Sequence, residues 1–192
     1  MELVLATHNL HKILEFKAML KEIKGLEVLS LRDFPDYVPP EETGATFEEN
    51  ATLKALTAAQ ALKKRVLADD SGLVVPSLEG EPGVFSSRYA GAHATDKENR
   101  MKLVKKLQEL PESKRAAYFQ CCLVLATPEG IEKIVNGFCE GSLQLEEKGR
   151  NGFGYDSLFV KYDYKKTLAE LDGETKNKIS HRRKALDKLG LK

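Results

Sequence analysis

The stretch Val66-Leu67-Ala68-Asp69-Asp70-Ser71-Gly72-Leu73-Val74-Val75 sets two adjacent carboxylates, a hydroxyl and a glycine between two apolar runs. Alone it reads as a buried strand ending in acid, with Ser71-Gly72 turning the backbone before the next extended piece. Side chains alternate along a strand, so Asp69 and Asp70 are expected to point opposite ways. One can then be held by donors while the other does chemistry. Carboxylates beside apolar strand residues are costly unless hydrogen-bonded, ion-paired or bound to a cation. An ordinary Asp-Ser-Gly turn has the same letters, so the other polar stretches decide.

Glu41 and Glu42 lie in a loop just upstream of a helix, placed to reach another acidic loop. Either, with Asp70, gives Mg²⁺ the one or two carboxylates it takes beside phosphate oxygens and waters. Lys12 falls in the first turn of a helix, where the macrodipole disfavours a cation. An anion bound at that helix start reverses the penalty. Lys54 and Lys176 complete a set of cations suited to polyphosphate. In Gly149-Arg150-Asn151-Gly152-Phe153-Gly154-Tyr155-Asp156 the glycines allow close backbone approach. Phe153 and Tyr155 offer faces on which a planar base can stack, a contact worth about 1–3 kcal/mol. Asp156 can accept from ring N–H groups, and Arg182 can join such a pocket. No Gly-rich P-loop is present and the spacing is wrong for a dinucleotide fingerprint. Nothing resembles an activated Ser or Cys nucleophile, so water is the attacking group. Each signal also has a plain reading: a solvated lysine, a glycine turn, a basic tail. Taken together they spell a metal-dependent nucleotide hydrolase.

These residues need elements to place them. Leu3 to Ala6 reads as a buried strand opening on Thr7-His8-Asn9. A helix follows with Ile13, Phe16, Leu20 and Ile23 at helical spacing and Gly25 as its stop. Glu27 to Leu31 is a second strand, and 35–44 a loop rich in proline. Thr46-Phe47-Glu48-Glu49 is a capping box for a helix with the stripe Phe47, Ala51, Ala55, Ala58 and Leu62. Asp96 reads as the N-cap of a helix carrying Met101, Val104 and Leu107. Ala116 to Ala126 and Ile131 to Cys139 form a hairpin, so the sheet is expected to be mixed. A last helix from Ser180 to Leu189 has Ile179, Leu186 and Leu189 on its apolar stripe, with Arg182 in line.

Composition excludes several classes. The 192 residues suffice for one domain of two lobes, and the 42% hydrophobic and 31% charged fractions are those of a globular protein. A net charge of +1 gives no bulk field for nucleic acid or an anionic membrane. Charge is nonetheless uneven: five acids and no Lys or Arg between Asp36 and Asn50, seven Lys or Arg against two acids from Glu174 on. Cys121, Cys122 and Cys139 form no C-x-x-C pair, which fits a reducing cytoplasm rather than a disulfide or zinc scaffold. No signal peptide or membrane span is read.

The chain resembles the inosine triphosphate pyrophosphatase family, the noncanonical purine nucleoside triphosphate pyrophosphatases. The matching stretches are Leu5 to Lys12, Glu42 to Ala51, Leu67 to Leu73, Pro82 to Tyr89, Gly152 to Asp156 and Lys176 to Arg182, in the family's order and spanning nearly the whole chain. Ser87 and Ser157 stand where that pattern usually has Ala and Pro. The resemblance implies an α/β fold with an elongated, twisted, mixed sheet, flanking helices and two lobes around an active-site cleft, the whole of 1–192 acting as one such domain. It implies a homodimer that hydrolyses ITP, dITP and XTP to the monophosphate and pyrophosphate with Mg²⁺; the cysteines and the charge balance add a cytoplasmic setting without nucleic-acid or membrane partners. It further implies that Thr7, His8, Asn9, Leu10, His11 and Lys12 hold phosphates; Lys54, read above as a cation for polyphosphate, is expected to bind substrate with them. Glu41 and Asp70 bind the metal, Asp70 accepts the proton of the attacking water, and Ser71 contacts substrate. Phe153, Gly154, Tyr155, Asp156, Lys176, His181 and Arg182 enclose the base. The expected work is removal of deaminated purines from the nucleotide pool. A nucleotide phosphatase releasing orthophosphate is the runner-up, and a nucleic-acid-binding module using the basic tail a third reading.

Overall fold

Apolar residues repeating with period two and with helical period produce eleven strands and α-helices among residues 1–191, which the computed structural model describes. In order they are β1 (Glu2–Leu5), α1 (Leu10–Leu20), β2 (Glu27–Ser30), α2 (Phe47–Leu62), β3 (Val66–Val74), α3 (Asp96–Leu107), β4 (Ala116–Thr127), β5 (Gly130–Leu143), β6 (Phe159–Lys161), α4 (Gly173–Ile179) and α5 (His181–Leu189). The strands form one sheet in the order β2-β1-β3-β4-β5-β6. Within it β1 runs parallel to β2 and β3, and β5 antiparallel to β6. The expected mixed α/β sheet with helices is therefore what forms.

Three local expectations need correcting. β3 does not turn at Ser71-Gly72 but runs unbroken through both aspartates, because each carboxylate finds partners without leaving the strand. Thr95, not Asp96, caps α3: its hydroxyl accepts from Glu98 N–H, and the Glu98 carboxylate accepts from Thr95 N–H, a reciprocal capping box. Met101 is 60% exposed, and Asn99, Leu103 and Leu107 take the inward face at spacings of four. The short β6 and α4 went unread, since three and seven residues carry little periodicity.

Contacts divide the chain into two units, with divisions inside β3, β4, β5 and α5. The first holds Met1–Asp70, Cys121–Gly137 and the chain from Arg182 on. Its core joins Leu3 and Leu5 of β1, Phe16 and Leu20 of α1, Leu67 of β3, Cys121, Leu123 and Leu125 of β4, and Ala185, Leu186 and Leu189 of α5. The odd numbering of those strand residues identifies one face of the sheet, covered by α1 and α5. Fully buried Ala51, Ala55, Ala58 and Ala59 let α2 pack closely. The second unit holds Ser71–Gln120 and Phe138–His181. Its core includes Leu73, Leu103, Leu107, Phe119, Tyr155, Phe159 and Leu168.

Candidate active site

In the first unit, alternation along β3 gives the two aspartates different neighbours. Asp69 shares the face of Leu67 and meets α1 and α5: it accepts from Arg182 Nε at 2.6 Å, from Lys12 Nζ, and from Cys121 Sγ at 3.4 Å. Arg182, only 1% exposed, also donates through Nη1 to Glu15. Burial alone would raise the Asp69 pKa, but the Arg182 and Lys12 charges outweigh it and hold the carboxyl well below its ordinary range. Asp70 looks the other way, toward α2. Its Oδ2 accepts from Asn50 Nδ2 at 3.2 Å, and its Oδ1 lies 3.2 Å from Lys54 Nζ. Burial pushes the Asp70 pKa up; Lys54 and Lys12 oppose the rise, while Glu42 and Asp69 add to it. Two neighbouring carboxylates are thus driven apart, one fixed as an anion and one left with a raised proton affinity. Carboxylates in such different settings are suited to different acid-base roles.

Lys54 Nζ spends its three donors on Glu42 Oε1 at 2.7 Å, the Asp69 carbonyl at 2.9 Å and Asp70 Oδ1 at 3.2 Å. Burial would lower the Lys54 pKa, but Asp70 and Glu42 more than offset it and raise it. Both members of the Lys54–Asp70 pair thus hold protons more tightly than usual. At Asp70 burial is the chief cause, and one ammonium shared between two carboxylates offsets it only in part. Glu42 and Asp70 converge on a single cationic point, and two hard oxygens so placed suit Mg²⁺ completed by phosphate and water. Among the described residues no group of three or more His, Cys, Asp or Glu is arranged to hold a metal by itself. Glu42 carries the carboxylate that shares Lys54 with Asp70, and Glu41 beside it in the chain is exposed.

Asn50 went unread as a site residue. It is fully buried, donates to Asp70 and accepts from Gly44 N–H at 2.8 Å, tying the acidic loop to β3. A polar residue on the inward side of α2, next to the alanine stripe, was the available signal. Glu15 was missed as well, because its partner Arg182 is 167 positions away.

Thr7 to Lys12 form the turn from β1 into α1. Asn9 caps the helix by accepting from Lys12 N–H at 3.2 Å, and the Thr7 hydroxyl accepts from Asn9 N–H at 3.1 Å. His8, Asn9, Leu10 and His11 are exposed. Ser71 follows Asp70 on β3, half-buried, as the first residue of the second unit.

The second unit gathers the remaining candidates. Lys176 on α4 is buried, pairs with Asp156 Oδ2 at 2.5 Å, and places Nζ 4.8 Å from the centre of the half-buried Phe153 ring. Asp156 Oδ2 also accepts from Phe153 N–H at 2.9 Å. Gly152 permits this closure: its φ is +76°, and a Cβ there would lie 2.1 Å from that same oxygen. His181 stacks on Phe119, with ring centres 5.0 Å apart and planes 14° apart. Tyr155 belongs to the core, its hydroxyl donating to the Ser86 carbonyl at 2.9 Å, so half-buried Phe153 is the more exposed of the two rings. The cysteines are fully buried; burial pushes the Cys121 thiol well up and the Cys122 thiol to about 12, which removes them as nucleophiles.

The first unit thus sets two carboxylates in different surroundings with Lys12 and Lys54 beside them, and the second carries a glycine loop whose Phe153 ring lies against Lys176; these are the side-chain types of the class of proteins that act on nucleoside triphosphates. Residues 3–191 match the Ham1 family, and the chain belongs to it. It is 57% identical to a dITP/XTP pyrophosphatase of Protochlamydia amoebophila over 190 residues, covering 98% of this chain and 96% of the relative. It is 51% identical to a protein of the same description from Bacillus cereus, covering 98% and 92%. A solved Ham1 protein of Coxiella burnetii superposes with a TM-score of 0.88 at 41% identity, covering 98% and 96%. A nucleoside-triphosphatase / dITP/XTP pyrophosphatase of Mycobacterium abscessus does so with 0.79 at 40%, covering both chains fully.

Proposed function

We propose that this chain hydrolyses the noncanonical purine nucleoside triphosphates ITP, dITP and XTP to the monophosphate and pyrophosphate, removing deaminated purines from the nucleotide pool. The observation that carries the reading is the opposite setting of the two aspartates, Asp69 paired with Arg182 and Lys12 and Asp70 held by Asn50 and Lys54, and the description of close relatives as dITP/XTP pyrophosphatases supports the substrate class. Asp70 takes the proton of the attacking water, with Asn50 and Lys54 orienting its carboxylate. Asp69, locked as an anion by Arg182, holds Lys12 beside it. Lys12, Lys54 and the start of α1 meet phosphate charge. Glu42 and Asp70 would hold Mg²⁺, which when bound lowers the pKa of water and offsets phosphate charge. Phe153 stacks on the base, while Asp156, Lys176 and His181 line its edge. A donor facing the 6-oxo group rejects adenine, whose 6-amino group would leave two buried donors opposed. The reading includes a cytoplasmic homodimer.

The test is incubation of ITP, dITP, XTP and ATP with Mg²⁺, with separate assays for pyrophosphate and orthophosphate. Pyrophosphate from the first three, well above that from ATP, is expected. Orthophosphate instead would make the chain a nucleotide phosphatase. Salt-sensitive binding to DNA or RNA that survives Asp70→Asn, with no hydrolysis, would make it a nucleic-acid-binding module.

A further inference from the structure

Gly154, one residue after the Phe153 ring, is held in an unusual way. Its φ is +59°, and a Cβ built on it would meet nothing within 4 Å, so side-chain packing does not fix this position. Two hydrogen bonds from α3 do. Gly154 N–H donates to Asp96 Oδ2 at 2.7 Å, and the Gly154 carbonyl accepts from Arg100 Nη1 at 2.8 Å. Asp96 and Arg100 are four residues apart and therefore share a face of the helix. Arg100 is itself steadied: its Nε donates to Glu147 Oε2 at 2.8 Å, and the Ser157 hydroxyl donates to the same oxygen at 3.1 Å. Ser157 is the position at which this chain departs from the motif containing Gly152 to Asp156. Lys148 N–H donates to the Ser157 carbonyl at 2.9 Å, which ties the segment carrying Glu147 to the end of the aromatic loop.

We propose that Arg100, acting with Asp96 and braced by Glu147 and Ser157, is a positioning residue that sets the angle of the Phe153 ring by clamping the Gly154 backbone. The inference rests on the reading that Phe153 stacks on the base. The loop is then pinned at three consecutive residues: Phe153 by Asp156, Gly154 by α3, and Tyr155 by Ser86. Only the middle pin is charge-assisted on both sides, and charge-assisted bonds are the stronger ones. Without it the glycine is free to rotate and the ring samples orientations that do not stack. The cost should fall on nucleotide affinity and not on the phosphate end.

The experiment is a double-mutant cycle between Arg100→Leu and Phe153→Ala, with KM for ITP, kcat and the inhibition constant of inorganic tripolyphosphate measured for each variant. Arg100→Leu is expected to raise KM about tenfold, the loss of one hydrogen bond to a charged group, with kcat and the tripolyphosphate constant within about twofold. In the Phe153→Ala background the same substitution should add nothing. Glu147→Gln, at a side chain 41% exposed and so tolerant of exchange, should give a smaller KM rise of the same kind. An unchanged KM in Arg100→Leu overturns the proposal, as does an equal rise with and without the ring, or an equal weakening of tripolyphosphate, which marks a general structural role. If Arg100→Leu fails to fold, an unchanged KM in Glu147→Gln overturns it. A KM rise in Phe153→Ala with none in Arg100→Leu removes the clamp and leaves the stacking reading standing. No KM change in Phe153→Ala overturns stacking and the clamp together.

Discussion

Replacing Asp69 and Asp70 by asparagine, one at a time, should give opposite results although the two residues are adjacent and differ by one atom from their replacements. Asp69 is 3% exposed and receives bonds from two buried or half-buried cations. Asparagine leaves Arg182 and Lys12 short of one negative charge, and breaking a buried pair from one side costs about 3–5 kcal/mol. For a chain of this length each kcal/mol shifts Tm by roughly 2–4 °C, so Asp69→Asn should melt about 6–20 °C lower. Asp70 is 7% exposed, but its raised pKa means that folding already penalises its charge. Asp70→Asn removes that penalty along with one weak ion pair, and its stability should stay within about 1 kcal/mol of wild type. Turnover should fall about 10²–10⁴-fold with loss of the proton acceptor. The sign of the pH effect follows from linkage. The folded pKa of Asp69 is depressed, so its contribution is present above the unfolded value near about 4 and is lost as pH falls through the folded value. The stability gap between wild type and Asp69→Asn should therefore narrow only in acid. Urea titrations read by circular dichroism, combined with pyrophosphate release, measure both quantities. Equal destabilisation by the two substitutions, or a stable Asp69→Asn, would refute the division of labour along β3.

Three further outcomes follow from the same geometry. Glu42→Gln should raise the Mg²⁺ concentration needed for half-maximal activity, and Glu41→Gln should not; direct Mg²⁺ titration in the presence of a nonhydrolysable ITP analogue checks the assignment without turnover. Phe153→Ala should weaken ITP binding by about 1–3 kcal/mol, the worth of one base stack, which equilibrium binding to an inactive Asp70→Asn background measures. A thiol reagent should label no cysteine in the native protein and three in denaturant, because Cys121, Cys122 and Cys139 are all fully buried; rapid labelling of the native protein would contradict the core packing.

The elements with long periodic stretches were legible from sequence, as were the chemical types at both clusters. Phe47, Ala51, Ala55 and Ala58 announced α2 and its buried face, and strand alternation announced the split of Asp69 from Asp70. What could not be read was partnership. Nothing near Asp69 indicates that its guanidinium comes from position 182, and Arg182 read as part of a ring of groups around a base before it proved buried against Asp69 and Glu15. Asn50 was hidden by its setting in an apolar stripe, and Tyr155 by the glycines around it, which suggested exposure where the ring lies in the core. Helix ends also shifted: Thr95 displaced Asp96 as a cap because Glu98 completes the reciprocal bond only with Thr95.

The bond between Asp69 and Arg182 joins residues 113 positions apart. During synthesis on a ribosome, the carboxylate emerges long before its guanidinium. Until α5 has left the exit tunnel, Asp69 has Lys12 as its nearest available cation, and the layer over β1 and β4 lacks Ala185, Leu186 and Leu189. Such late closure puts the loop-entropy cost on the final step of folding. A message cut short before codon 182 would yield a polypeptide whose central acid lacks its guanidinium partner and whose first core is open, a ready target for quality-control proteases.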